Sequence, residues 1–191
     1  MKKLSTYLFL LLFSFQTSSW ADDIRDFQIE GMSIGDSVLD YLPKNKIKKK
    51  VSPNKKIKIV RASKKENLEI YDNSQLWWYD EDKDYKIVGL AGELRFNNDI
   101  KGCRKKQKEI VENIKSLFST LTARESENKN MHDKTGKSKV FHYTFKFPNG
   151  DKINIQCYKF SKDFKKKRNA IDNLKVMIIS KKMDDHYRDA R

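Results

Sequence analysis

Cysteine and histidine are scarce in this 191-residue chain, two and three residues respectively, and that scarcity excludes much metal chemistry. A structural zinc site gathers four Cys or His ligands at paired spacings. Here Cys103 and Cys157 lie far apart, and His132, His142 and His186 include no pair four residues apart on a helix. No resident metal and no cofactor are expected. A phosphate loop is also missing. Gly136-Lys137-Ser138 has Met131 where the motif needs its first glycine, with no strand before it and no helix after, so no nucleotide partner is expected. Asp80, Glu81, Asp82 and Asp84 lack the glycine and terminal glutamate of a calcium loop and read as a polar turn. Glu93 has no second carboxylate with which to form a glycosidase pair.

Long apolar runs are lacking too. The run Leu4 to Phe15 falls short of the ~20 residues that span a bilayer. It follows Lys2 and Lys3 and precedes Ser19 and Ala21, small residues at −3 and −1 of a cleavage site. Residues 1–21 therefore read as a secretory signal peptide cleaved between Ala21 and Asp22, which places the protein in the periplasm or outside the cell. No Cys near that site offers a lipid attachment point, and no transmembrane segment is expected in the mature chain.

What is abundant is positive charge. The formal net charge is +15, lowered by two when Lys2 and Lys3 leave with the signal. Such a balance attracts anionic lipid head groups, polysaccharide or nucleic acid. Lysine outnumbers arginine roughly fourfold, whereas recognition surfaces favour the planar fork of Arg, so compositional bias competes with a selected anion-binding role. The eleven Phe, eight Tyr and three Trp are enough aromatics for a packed core. Residues 22–191 are read as a single α+β domain.

Along the chain, Phe27-Gln28-Ile29 reads as an extended lead-in. Ser33 caps a helix with Asp36 reaching back, Val38, Leu39 and Leu42 forming its stripe and Pro43 ending it. Residues 44–66 form a basic excursion, with a strand hinted at by Ile57, Ile59 and Ala62. Leu76 to Tyr79 and Tyr85 to Leu90 form a hairpin, in which Trp77 and Trp78 face opposite sides. Its return strand runs on through Leu94 and Phe96, with a bend or bulge at Gly89 and Gly92. A helix from about Lys101 to Leu121 carries Cys103, Ile110, Val111, Ile114, Leu117, Phe118 and Leu121 on one face. Residues 124–139 show no period and read as a loop. Phe141, Tyr143, Phe145 and Phe147 share a face with Ile153, Ile155 and Cys157 only if the turn has three residues, Pro148-Asn149-Gly150. A final strand covers Leu174 to Ile179, followed by a polar tail, Lys181 to Arg191, with room for one helical turn.

The expected fold is thus an antiparallel sheet of about five to six strands with one long amphipathic helix packed on one face. Cys157 then comes within reach of Cys103, and an even Cys count in an exported chain argues for a disulfide between them. A catalytic thiol is the competing reading.

The stretch Ile24 to Ser37, IRDFQIEGMSIGDS, with a later Cys pair and the segment His132-Asp133-Lys134-Thr135-Gly136, resembles a set of uncharacterised exported bacterial proteins. That resemblance implies export and no particular activity. The Gly31-Met32-Ser33 helix start also resembles that of small lipoproteins of outer-membrane barrel assembly, whose lipid-bearing Cys has no counterpart here.

The favoured expectation is a non-enzymatic binding domain for an anionic envelope component, either lipid head groups or polysaccharide. Lys48, Lys49, Lys50, Lys55 and Lys56 form one candidate set, and Arg104, Lys105 and Lys106 a second. A periplasmic hydrolase using His132 and Asp133 is the first alternative, and a protein-interaction subunit the second. The oligomeric state is left open.

Overall fold

The computed structural model describes residues 23–45, 47, 56–63 and 68–189. The expected signal, residues 1–21, lies outside the described residues, as do Lys48, Lys49, Lys50 and Lys55.

Seven strands make one antiparallel sheet: β1 (Ile57–Ser63), β2 (Asn73–Tyr79), β3 (Gly89–Arg95), β4 (Ala123–Lys129), β5 (Lys139–Lys146), β6 (Lys152–Lys159) and β7 (Asn173–Ile179). Their spatial order is β1-β2-β3-β7-β6-β5-β4, so the last strand fills the centre between two meanders. The helices include α1 (Val38–Tyr41), α2 (Ile100–Leu117), α3 (Lys162–Arg168) and α4 (Lys181–Asp189), and a 3₁₀ turn covers Ile24–Asp26.

This corrects the expected architecture. The sheet has seven strands, not five to six, and only one of the described helices is long. That helix, α2, touches chiefly β6 and reaches β7 at fewer points, so it follows one strand line and is not spread across a face of the sheet. The miscount has a physical origin in β4, within the segment expected to be a loop. Its residues Arg124 to Lys129 are all exposed. An edge strand needs no apolar alternation, and charge along it discourages pairing with another chain.

Two other boundaries move. Ser33 N does bond Asp36 Oδ2 at 2.8 Å, but this closes a turn. The helix starts four residues later, where Ser37 caps α1 and Asp40 returns the bond. The polar tail contains α4, whose Met183 is buried against Trp77, Tyr79 and Ala91.

The three-residue turn is present. Gly150 has φ +94, and Phe147 exchanges backbone hydrogen bonds with Asp151 and Gly150, both at 2.9 Å. Phe145 consequently faces Ile153, and Phe141 faces Cys157. All of these belong to the larger core, which also takes Leu174, Val176 and Ile178 of β7 and Cys103, Val111 and Ile114 of α2. Period-two alternation puts that set on one face of the sheet. The Cys103–Cys157 disulfide ties α2 to β6 there, with Cα atoms 6.1 Å apart. Trp77 and Trp78 point to opposite faces and both are covered: Trp78 joins the larger core and Trp77 the small cluster beneath α4.

Candidate functional site

The second face of the sheet is divided. Its β1–β3 corner is apolar and lies under α4, while its β4–β6 half carries polar side chains. Register exposes the division. Ser63, Asn73, Glu93, Lys175, Gln156, His142 and Ser126 are successive cross-strand partners, one polar residue from each of the seven strands. Two residues along, Arg124 pairs with Thr144 and Thr144 with Asn154; further still, Lys146 pairs with Lys152. These are the alternates of Phe141, Tyr143, Phe145, Ile153 and Ile155, so the same pleat that builds the core builds this surface.

Two clefts lie side by side on it. One, of about 430 Å³, is lined by Thr122, Arg124, Ser126, Thr144, Lys146 and Lys152. Lys152 Nζ donates to Asp184 Oδ2 of α4 at 2.5 Å, which offsets its charge. Arg124 and Lys146 have no acidic partner among the described residues. The cleft thus presents two uncompensated cations beside three hydroxyl-bearing side chains.

The other cleft, also about 430 Å³, is lined in part by Asn128, His132, His142, Gln156 and Tyr158. A hydrogen-bonded chain fixes its floor: Tyr158 Oη donates to Gln156 Oε1 at 2.6 Å, and Gln156 Nε2 lies 3.2 Å from His142 Nδ1. In that arrangement Nδ1 accepts, and the neutral ring carries its proton on Nε2. Burial lowers the His142 pKa and pushes that of Tyr158 up to about 12, so both are neutral at pH 7. The floor offers hydrogen-bonding groups and the neighbouring cleft offers charge. Together they run along β6 from Lys152 to Tyr158, ~20 Å at strand rise.

Apart from His132, which lines the second cleft, the residues singled out from sequence fall elsewhere. Of the first lysine set only Lys56 is described, exposed just before β1. Lys105 and Lys106 are exposed on α2, and Lys106 pairs with Glu109 at 3.2 Å. Arg104 is held inward: it donates to Glu125 at 2.7 Å and to Gln107 at 2.6 Å, and stacks on Phe141. Gln107, fully buried, in turn donates to Phe141 O and Ile155 O. This side of α2 pins the helix to the sheet.

His132 and Asp133 share a loop, but no hydrogen bond joins their side chains among the described residues. Asp133 is 6% exposed and accepts from Thr135 N and Oγ1, Ser138 N and Oγ, and Ser161 Oγ, at 2.5–3.0 Å. Those donors hold its carboxyl far below the usual carboxylate range. Ser161 also caps α3, so one carboxylate ties the β4–β5 loop to that helix.

Sequence reasoning passed over Arg124, Thr144, Lys146 and Lys152. The available signal was the polar alternate set, Thr144 and Lys146 against Asn154 and Lys152, opposite the aromatic alternates already recognised. Among the described residues no group of three or more His, Cys, Asp or Glu is placed to hold a metal ion, and no helix is long and apolar enough to cross a membrane.

No known family model, characterised protein or solved structure matches this chain, so the class rests on its own fold and site: a single antiparallel sheet with one polar, cationic half-face.

Proposed function

We propose that the chain is exported, with residues 1–21 removed, and that its β4–β6 half-face binds an acidic polysaccharide of the cell envelope without chemical turnover. One observation supports this above the rest: Arg124 and Lys146, with no carboxylate to answer them, meet at a cleft rimmed by Thr122, Ser126 and Thr144. A polyuronate or sulfated glycan carries the matching groups, anionic substituents among many hydroxyls. The adjoining floor of Gln156, His142 and Tyr158 suits further sugar hydroxyls. Lipid head groups are the competing outcome of the test below, since Met131 stands exposed at the second cleft of this half-face. The hydrolase reading draws less support, since the lone pairs of Asp133 are engaged by its own loop and by Ser161.

The test is binding of the protein to a polyuronate, to neutral dextran, and to anionic and neutral liposomes, across a salt series. Binding to the polyuronate that weakens with salt, and is cut at least tenfold by Arg124→Glu with Lys146→Glu, supports the reading. Polyuronate binding untouched by those substitutions, or none at low salt, sinks it. Preference for anionic liposomes assigns the face to lipid.

A further inference from the structure

Charge stands at both ends of the β4–β6 half-face and is missing from its middle. At one end are Arg124 and Lys146, in the first cleft. At the other, the β4–β5 loop and α3 enclose a third cleft of about 270 Å³, whose lining includes His132, Lys134, Lys167 and Arg168. Lys129, the last residue of β4, stands at the same end, on the border of the second cleft. Lys129, Lys134, Lys167 and Arg168 have no acidic partner among the described residues. The third cleft also holds two carboxylates. The oxygens of Asp133 are engaged by its own loop and by Ser161, and Asp163 lies 3.8 Å from Lys137.

The three clefts form one path. Ser126 lines the first and its cross-strand partner His142 the second, while His132 lines both the second and the third. Three stacked rings join the far end to the floor: Tyr158 stacks on Phe160 with centroids 5.6 Å apart, and Phe160 on Phe164, a wall of the third cleft, at 5.3 Å. The Asp133 carboxylate ties the loop wall to Ser161, the N-cap of the helix wall. Lys134 on the loop and Lys167 and Arg168 on α3 are thereby mounted on elements fixed to each other and to β6. Between the ends, Gln156, His142 and Tyr158 offer hydrogen bonds and no charge at neutral pH. From Arg124 to Lys129 the path runs along β4 for ~17 Å at strand rise.

We infer that the half-face recognises a glycan whose acidic groups are interrupted by neutral sugars, one anion held by Arg124 and Lys146 and the next by Lys167, Arg168 and the lysines beside them. This rests on the polysaccharide reading above and narrows it. A polyuronate carries a carboxylate on every ring. Rings laid over the floor would have theirs partly desolvated, opposite groups that bring no compensating charge. A neutral or N-acetylated sugar there meets the floor with hydroxyls and amides, which pair with Gln156 and Tyr158 at no such cost. Discrimination thus comes from the uncharged middle, and attraction from the two ends.

Binding of three glycans of matched chain length at one salt concentration tests it: a polyuronate, an alternating polymer of uronic acid and N-acetylated neutral sugar, and neutral dextran. The alternating polymer is expected to bind at least fivefold tighter than the polyuronate. Lys167→Glu with Arg168→Glu, both exposed on α3, is expected to cut its binding at least fivefold and to shrink the preference. Ser126→Lys sets a cation opposite His142 on an exposed edge strand, and is expected to raise polyuronate binding until the preference is gone. Polyuronate bound as tightly as the alternating polymer, yet still weakened by Arg124→Glu with Lys146→Glu, overturns the inference and leaves the broader reading standing. A preference unchanged by either set of substitutions, at α3 or at Ser126, overturns it as well. No binding to either acidic glycan removes both readings together.

Discussion

Lys146 lies directly opposite Lys152 across the β5–β6 ladder, and only Lys152 has a carboxylate beside it, Asp184 Oδ2 at 2.5 Å. Like charges in facing positions destabilise a sheet, here by roughly a few tenths of a kcal/mol given exposure. Lys146→Thr is therefore expected to leave the urea midpoint unchanged or slightly raised while weakening polyuronate binding severalfold. A Lys146→Thr protein that loses stability and keeps its binding would mean that the pair serves the fold.

Asp133 gives the protein an acid-sensitive joint. Its folded pKa lies below the unfolded value of about 4, so its contribution to stability is present above that value and lost as pH falls below it. Asp133→Asn is expected to lower the thermal midpoint at neutral pH and to flatten the decline on acidification. Paired thermal melts at neutral pH and near pH 3 read the difference directly. An acid limb as steep in Asp133→Asn as in the wild type would move the effect to other carboxylates.

Legibility in the sequence followed the alternation. The β5–β6 hairpin could be drawn to its register because aromatic and aliphatic residues alternate on both arms and a one-residue slip would have turned them apart. The amphipathic stripe of α2 and its link to Cys157 were legible for the same reason. β4 was not, because an edge strand with charged residues on both sides carries no period to detect. α4 was legible only as a single helical turn in a polar tail, because one buried residue, Met183, seats it. The cationic cleft escaped because its members come from three strands, and adjacency across a sheet is set by pairing order, which one chain's sequence does not print. Sequence drew attention instead to dense runs such as Arg104 to Lys106, where structure turns Arg104 to holding α2.

Two glycines in β3 separate rigid from yielding neighbours. A Cβ on Gly92 would meet three atoms of the Tyr71 ring at 2.5–2.6 Å, and that ring is buried with few places to go. Gly92→Ala is expected to cost about 1–3 kcal/mol in urea unfolding, as overpacking does. At Gly89 the obstructing atoms are the Sδ and Cε of Met183, the end of a flexible side chain. Gly89→Ala is expected to cost less globally but to loosen α4, read as faster amide exchange over 181–189. Equal losses from the two substitutions would contradict this division.

The disulfide closes a long loop, with 54 residues of separation between Cys103 and Cys157. Chain entropy alone makes such a link worth ~4 kcal/mol by restricting the unfolded state. The enclosed chain includes α2, β4 and β5, so the loss falls on the half of the sheet that carries the cationic cleft. Reduction, or Cys103→Ala with Cys157→Ala, is expected to lower the denaturant midpoint sharply and to weaken polyuronate binding in parallel. Both sulfurs are wholly buried, so reduction of the folded protein should be slow and should accelerate with added denaturant. Rapid reduction without denaturant would show that α2 lifts from β6 in the native state, which would make the helix a mobile element in place of a fixed one.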